Sequence, residues 1–444
     1  MQSILWFVTT SVSENIFLEI FKDNWIPFKQ KFPGYATAYY DDVIKKVINC
    51  GDPNFGYSKY QCLHCGLSDK IVGFSCKSTF CLKCSRLVTA DFVEEVQRKL
   101  HSGVVYRHLV LTIPSELRPL FHSNRQDPEL FNLFFQSGKA CIEDLIRTVR
   151  RNKAIKCGML SVIHTVGRKA DYKPHLHMLV MDGGIDETTG LWVKLGKFPY
   201  EILHKKWQYH LLEMIKLYDP SQKKNVNQLW EKFKKGFVAE ISEGQVPHRM
   251  KQLTKYLSKY LFRPAISLRR ILKYDIVKKT VTYEYNSHET KKKEIETVDV
   301  LTFIGRMVQQ ILPKGFQRVR YYGLQSTASY KKAKEKIMLA MQACDDGNSD
   351  SGAFIANTDN QNYADKVKLL TGKDPLICTC CGKKMCLVKV WQKDRGIIFD
   401  YFRTLEEALQ TRGPPLIQKL SQQEVNVKVP RQMSLFDLMG CALS

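Results

Sequence analysis

The stretch Lys173-Pro174-His175-Leu176-His177-Met178-Leu179-Val180-Met181 narrows the possible folds of this chain more than any other. Its apolar run, Met178 to Met181, reads as a buried strand. Side chains alternate along a strand, so His175 and His177 share one face while Leu176, Met178 and Val180 take the other. Two imidazoles on one face can pinch a single metal ion. The preceding strand, Met159 to Val166, carries His164 in Val162-Ile163-His164-Thr165. Neighbouring antiparallel strands share a face, which makes His164 a candidate third ligand. A hydrogen-bonded core histidine is the competing reading of that position.

The 444 residues carry 68 Lys and Arg against 44 Asp and Glu, a net charge of +24. That surplus favours a polyanionic partner, nucleic acid before membrane, over a basic surface kept only for solubility. A chain of this length accommodates about two to four domains. Met1 to Thr10 hold a short apolar run but neither a basic n-region nor a small-residue cleavage site. A signal peptide is therefore not expected, and no run is long enough to span a bilayer. The expected compartment is the cytoplasm, where the 14 cysteines serve as thiols or metal ligands rather than disulfides.

Residues 13–48 read as helical, as does a charged stretch from Ala90 to Leu100. The β-branched run from Tyr106 to Ile113 reads as a strand stopped by Pro114. Helices follow over 128–151 and 200–235, with the strands 159–166 and 175–181 between them. A further helix, 249–262, is stopped by Arg263-Pro264. Segment 279–300 reads as a surface hairpin, 301–312 as a helix and Val319 to Gly323 as a short strand. Asp345 to Asn362 is the clearest linker, rich in Gly, Ser, Asn and Asp. The domains expected are 1–100, helical and zinc-binding; 101–330, the core; 331–375, a linker; and 376–444, a small module and tail.

In the helix 249–262, Leu253, Tyr256, Leu257, Tyr260 and Leu261 recur at the spacing of a buried face. At roughly 100° per residue, Tyr256 and Tyr260 lie about 40° apart. The leucines occupy the arc on one side and Lys255 and Lys259 the arc on the other. Both phenols thus sit at the border between core and basic surface, where packing holds a side chain rigid within reach of a phosphodiester. Core tyrosines are the alternative. If the phenols attack phosphate, Mg²⁺ or Mn²⁺ on the histidines would act as Lewis acid, with Zn²⁺ as the rival ion. Tyr321 and Tyr322, adjacent on a strand, point to opposite faces and cannot serve one site together.

Two knuckles, Cys62-x2-Cys65 and Cys81-x2-Cys84, are fifteen residues apart. That is the spacing of a tetrahedral thiolate site for structural Zn²⁺. Cys50 and Cys76 are left over and read as small buried residues, or alternatively as extra ligands of a second site with His64. Near the C-terminus, Cys378-x2-Cys381-Gly382 makes one good knuckle that needs ligands from elsewhere.

These elements, in this order, resemble the rolling-circle insertion-sequence transposases, the two-tyrosine HUH group of the insertion-sequence-ninety-one type. The resemblance rests on Cys50-Gly51 through Phe80-Cys81-Leu82-Lys83-Cys84, on Leu109-Val110-Leu111-Thr112-Ile113-Pro114, and on Thr165-Val166-Gly167-Arg168 before Pro174-His175-Leu176-His177. It continues through Tyr256 to Tyr260 into Arg263-Pro264-Ala265-Ile266-Ser267, and through Pro313-Lys314-Gly315-Phe316-Gln317-Arg318-Val319-Arg320-Tyr321-Tyr322-Gly323. It implies an α+β fold: a HUH endonuclease core, an antiparallel sheet flanked by helices, with an N-terminal zinc-binding domain and a small C-terminal cysteine-containing module. It also implies single-stranded DNA at transposon ends and target as substrate, a 5′-phosphotyrosine intermediate, and a place of action in the bacterial nucleoid. One tyrosine would cut first and the other second. Relatives with a single tyrosine resemble this site at Tyr260, which favours Tyr260 as the indispensable one of the pair. Relatives often have Gln where this chain has His164. Lys255, Lys259, Arg263, Arg318 and Arg320 are the candidate DNA contacts.

Gln432-Met433-Ser434-Leu435-Phe436 resembles the peptide by which bacterial proteins dock on the replicative sliding clamp, with Gln432, Leu435 and Phe436 as its anchors. Two rival readings of the whole chain remain at this stage. One is a plasmid replication initiator or relaxase with the same chemistry; the other is a non-catalytic zinc-dependent DNA-binding protein.

Overall fold

The structure is a computed structural model that describes residues 15–167, 169–242, 246, 250–260, 266–287, 290, 292–342, 368 and 374–412. The expected linker Asp345 to Asn362, and Gln432, Leu435 and Phe436, lie outside these residues. The chain splits into two compact units, one drawn from residues 1–39 and 88–358 and the other from 40–87 and 359–444.

In the second unit, strands β1 (Gly56–Gln61) and β2 (Asp69–Gly73) form one antiparallel pair. Strands β12 (Cys386–Gln392) and β13 (Gly396–Asp400) form another, and β1 pairs with β12 to give the order β13-β12-β1-β2. The expected separation of a domain 1–100 from a module 376–444 is corrected here, because each supplies half of one sheet. The physical reason is that an isolated two-stranded hairpin is marginal in water and gains by pairing its open edge. The apolar centre of this sheet is small: Tyr60, Leu376 and Met385 with Cys62 and Cys378.

The first unit is built on a six-stranded sheet. Its strands are β3 (Tyr106–Thr112), β4 (Ile155–Val166), β5 (Tyr172–Asp186), β6 (Trp192–Lys194), β7 (Ala239–Ile241) and β11 (Val319–Gly323). The order is β11-β4-β5-β3-β7, with β6 paired to β5, and every pairing is antiparallel. Helix Pro128–Arg150 packs on one face. It starts where Asp127 accepts from the Glu129 N–H with Pro128 at the first position. Gly138 lets it approach closely, since a Cβ there would lie 2.7 Å from Leu176 Cδ1. Leu176, Met178 and Val180 are fully buried on this face.

Proline divides two of the expected long helices. Residues 200–235 become Tyr200–Tyr218 and Lys223–Lys232 around Pro220, and 13–48 become Ile16–Lys31 and Ala38–Ile48 around Pro33. Trp207 on the first of these donates its indole N–H to the Thr112 carbonyl at 2.9 Å, tying that helix to β3. A smaller sheet, β8 (Ile271–Asp275), β9 (Thr280–Asn286) and β10 (Lys293–Asp299), contains the expected hairpin. Among the described residues, no helix is long and apolar enough to cross a membrane.

Candidate functional site

Pairing of β4 with β5 puts His164 opposite His175 and Val162 opposite His177. Opposed residues of an antiparallel ladder share a face, so the register itself assembles three imidazoles. Their ligand atoms all lie within 4.8 Å of one another. The Lys173 carbonyl accepts from His175 Nδ1 at 2.6 Å, which leaves the Nε2 lone pair of His175 free for a metal. Burial pushes the pKa of His175 down to about 4. Burial pushes His177 well below the usual imidazole value, and His164, His175 and His108 add to that shift. His175 and His177 are thus held as neutral imidazoles, the form that ligates.

His108, which the sequence reading leaves as an ordinary strand residue, joins this group. It sits on β3 opposite Leu179, with Val110 opposite His177 and Thr112 opposite His175. Strand parity therefore puts it on the histidine face. Its Nε2 lies 2.8 Å from His177 Nδ1, and its Nδ1 lies 2.8 Å from the Tyr256 hydroxyl and 3.1 Å from Ser242 Oγ. Burial, with a smaller contribution from His175, pushes its pKa down to about 4. The signal that finds His108 is its parity with Val110 and Thr112 on a strand neighbouring the His-Leu-His run.

Tyr256 comes from helix Met250–Tyr260. Leu253 and Leu257 on that helix are fully buried, Lys255 is exposed, and Tyr256 is half-buried between them. The phenol border drawn from the helical wheel thus holds for Tyr256. The side chains of Lys259 and Tyr260, and the whole of Arg263, lie outside the described residues.

Arg318 and Arg320 do not come to this site. Val319 pairs with Val162 and Arg320 with Ser161, so both arginines fall on the face opposite the histidines. Arg320 donates to Asn132 Oδ1 at 2.7 Å and lies over the Phe316 ring at 5.3 Å. Arg318 donates to the Gln310 carbonyl, and burial pushes its pKa down to about 10. Tyr321 and Tyr322 pair with Leu160 and Met159, on opposite faces.

The cysteines group differently from the single site expected of Cys62, Cys65, Cys81 and Cys84. One cluster is Cys50, Cys76, Cys81 and Cys84; the other is Cys62, Cys65, Cys378 and Cys381. Cys50 and Cys76 thus stand beside the second knuckle as candidate ligands. In each cluster the sulfurs lie within 4.8 Å of one another, and soft thiolates in fours suit Zn²⁺. The correction has a plain cause. Knuckle spacing identifies half-sites, whereas the sheet decides which halves meet.

Comparison with known proteins agrees with this architecture. A family described as a transposase zinc-binding domain matches residues 20–113, and one described as a putative transposase matches residues 158–334. The transposase for insertion sequence element IS801 of Pseudomonas savastanoi pv. phaseolicola is 26% identical over 78% of this chain and 82% of its own length. A putative transposase, y4qJ, of Sinorhizobium fredii (strain NBRC 101917 / NGR234) is 25% identical over 85% of this chain and 96% of its own length. No solved structure matches. Zinc-binding and transposase regions in the same chain, with His164, His175 and His177 inside the latter, lead to one assignment: this chain belongs to the insertion-sequence transposases of the insertion-sequence-ninety-one type, enzymes that cleave DNA and transfer its strands.

Proposed function

We propose that this transposase works by the rolling-circle route, cutting and rejoining single-stranded DNA at transposon ends through a 5′-phosphotyrosine. The observation that carries the reading is the unbroken line from Tyr256 through His108 to His177. The Tyr256 oxygen attacks the scissile phosphorus, the bond from phosphorus to the 3′ oxygen breaks, and the phenol proton passes in net to the departing 3′ oxygen. Tyr260, one helical turn on, receives the second strand. A divalent ion held by His164, His175 and His177 would polarise the phosphate. Three nitrogen donors suit Mn²⁺ better than Mg²⁺, which prefers oxygen.

A metal on His177 would fix the proton positions along these hydrogen bonds. When His177 gives Nε2 to a metal, its proton sits on Nδ1 and is donated to His108 Nε2. His108 then carries its own proton on Nδ1 and donates to the Tyr256 oxygen. A donor aimed at that oxygen favours the phenolate over the phenol, which is what a tyrosine nucleophile needs. Lys255, exposed beside Tyr256, supplies positive charge for the DNA backbone, in keeping with the net charge of +24. Its place of work is DNA in the bacterial cytoplasm. Gln432, Leu435 and Phe436 would tether it to the sliding clamp, and equal clamp retention of wild type and Leu435→Ala/Phe436→Ala would remove that tether.

The central test is trapping of the protein on the 5′ side of a labelled single-stranded oligonucleotide, with Mn²⁺, Mg²⁺ and Zn²⁺ compared. Tyr256→Phe is expected to lose the first adduct. Wild-type adduct levels in Tyr256→Phe/Tyr260→Phe would overturn the tyrosine assignment.

A further inference from the structure

The four thiols Cys62, Cys65, Cys378 and Cys381 are free and converge from segments more than 300 positions apart. Cys62 Sγ lies 3.4 Å from Cys381 Sγ, and Cys65 Sγ lies 3.7 Å from Cys378 Sγ. Zinc–sulfur bonds of about 2.3 Å in a tetrahedron put sulfurs about 3.8 Å apart, so the cluster has nearly the size of a filled site. The two halves also repeat one backbone design. In each, the glycine after the second cysteine donates to the carbonyl of the first: Gly66 to Cys62 at 2.9 Å and Gly382 to Cys378 at 3.0 Å. In each, the first cysteine donates to the returning chain: Cys62 to Ser68 at 2.9 Å and Cys378 to Lys383 at 2.8 Å. Both glycines have left-handed backbones, with φ of 70° and 69°, and this repeated turn aims two sulfurs at one point.

We propose that Cys62, Cys65, Cys378 and Cys381 hold a zinc ion of their own, so that the zinc-binding region is a split ribbon completed by the C-terminal hairpin. The matched zinc-binding domain, residues 20–113, contains only half of this centre. The pairing of β1 with β12 runs up to it, with Gln61 opposite Cys386 and Tyr60 opposite Leu387. Lys70 Nζ donates to the Pro375 carbonyl at 2.9 Å and ties the two halves together beside the thiols. No donor is shared, because Cys50, Cys76, Cys81 and Cys84 form a complete set without these residues. One consequence is that the centre closes only once the chain has been made through Cys381.

The proposal is independent of the nuclease reading, and its test counts metal rather than activity. Full-length protein is prepared in a His175→Ala/His177→Ala background, which removes the histidine site, and zinc is released and quantified. Two equivalents per chain are expected. Cys378→Ser/Cys381→Ser is expected to hold one, Cys62→Ser/Cys65→Ser one, and the combination of all four substitutions still one. Two equivalents in Cys378→Ser/Cys381→Ser would overturn the proposal. So would zero in the combined variant, since the two knuckles would then serve different ions. A milder variant guards against loss of fold: Cys381→His is expected to keep both equivalents. Loaded with Co²⁺, it should show the visible spectrum of one four-sulfur centre and one with three sulfurs and a nitrogen. An unchanged Co²⁺ spectrum in Cys381→His would also overturn the proposal.

Discussion

The histidine centre and the thiol centres gather their residues over very different lengths of chain. His164, His175 and His177 come from one antiparallel strand pair, whereas Cys62 meets Cys381 across 319 positions. Behind the histidines lies a large core, with Leu176 and Met178 fully buried and Phe134 against Trp207 at 5.9 Å. Around the split thiol centre the apolar cluster is little more than Tyr60, Leu376 and Met385. The first site is carried by a fold that stands without it. The second helps to make its fold, as structural zinc does when a segment cannot bury enough apolar surface.

Metal removal should separate the two most sharply. Structural zinc contributes about 10–16 kcal/mol to small domains that fold around it. A strong chelator is therefore expected to strip hydrogen-exchange protection from β1, β2, β12 and β13 while β3, β4 and β5 stay protected. Equal loss in both sheets, or none in either, would break the contrast. The next effect lies within one strand. Leu176→Ala should cost about 2–5 kcal/mol in denaturant unfolding of the first unit. His175→Ala, one residue away on the other face, should change stability by about 1 kcal/mol or less yet lose the covalent DNA adduct. If the two substitutions cost the same stability, strand parity does not divide structure from function here.

That parity was the part of the site most open to reading from sequence. Alternation puts His175 and His177 together, and the observed register agrees and sets His164 directly opposite His175. The tyrosine helix was equally readable, 249–262 against Met250–Tyr260, because three leucines and two tyrosines keep helical spacing. What could not be read were the partnerships that only the folded sheet creates. Cys62 and Cys65 sit at a good spacing from Cys81 and Cys84, yet β1 pairs with β12 and brings Cys378 and Cys381 instead. His108 escaped because β3 lies next to β5 in space but is separated from it in sequence by β4 and a long helix. Arg318 and Arg320 sit in a basic motif, but strand alternation turns them to the helix-covered face, where Arg320 meets Asn132 and Phe316.

His108 gives a subtler form of the same contrast, since it touches a ligand without belonging to the triad. Replacing a residue that orients a metal ligand costs about 10–100-fold in metal affinity or activity. His108→Ala is expected to reduce the rate of adduct formation by that factor and to raise the Mn²⁺ concentration needed for half-maximal cleavage. His108→Gln keeps a donor and an acceptor and should recover part of both. An unchanged Mn²⁺ requirement in His108→Ala would mean that His108 only fills space.

The smallest effect tests whether the core merely supports the histidines or also aims them. An alanine at Gly138 would place its Cβ 2.7 Å from Leu176 Cδ1 and 3.4 Å from Met178 Sδ, directly behind the strand that carries His175 and His177. Overpacking of this kind costs about 1–3 kcal/mol. Glycine in a helix interior is about 1 kcal/mol worse than alanine, so the helix recovers part of that cost. The net loss for Gly138→Ala should be about 0–2 kcal/mol, because the end of Leu176 can rotate away. If the end of Leu176 absorbs the strain, adduct formation stays at the wild-type rate. If β5 moves instead, the rate falls although no residue of the site has changed, and the division between a supporting core and a separate site gives way to a strand whose two faces act together.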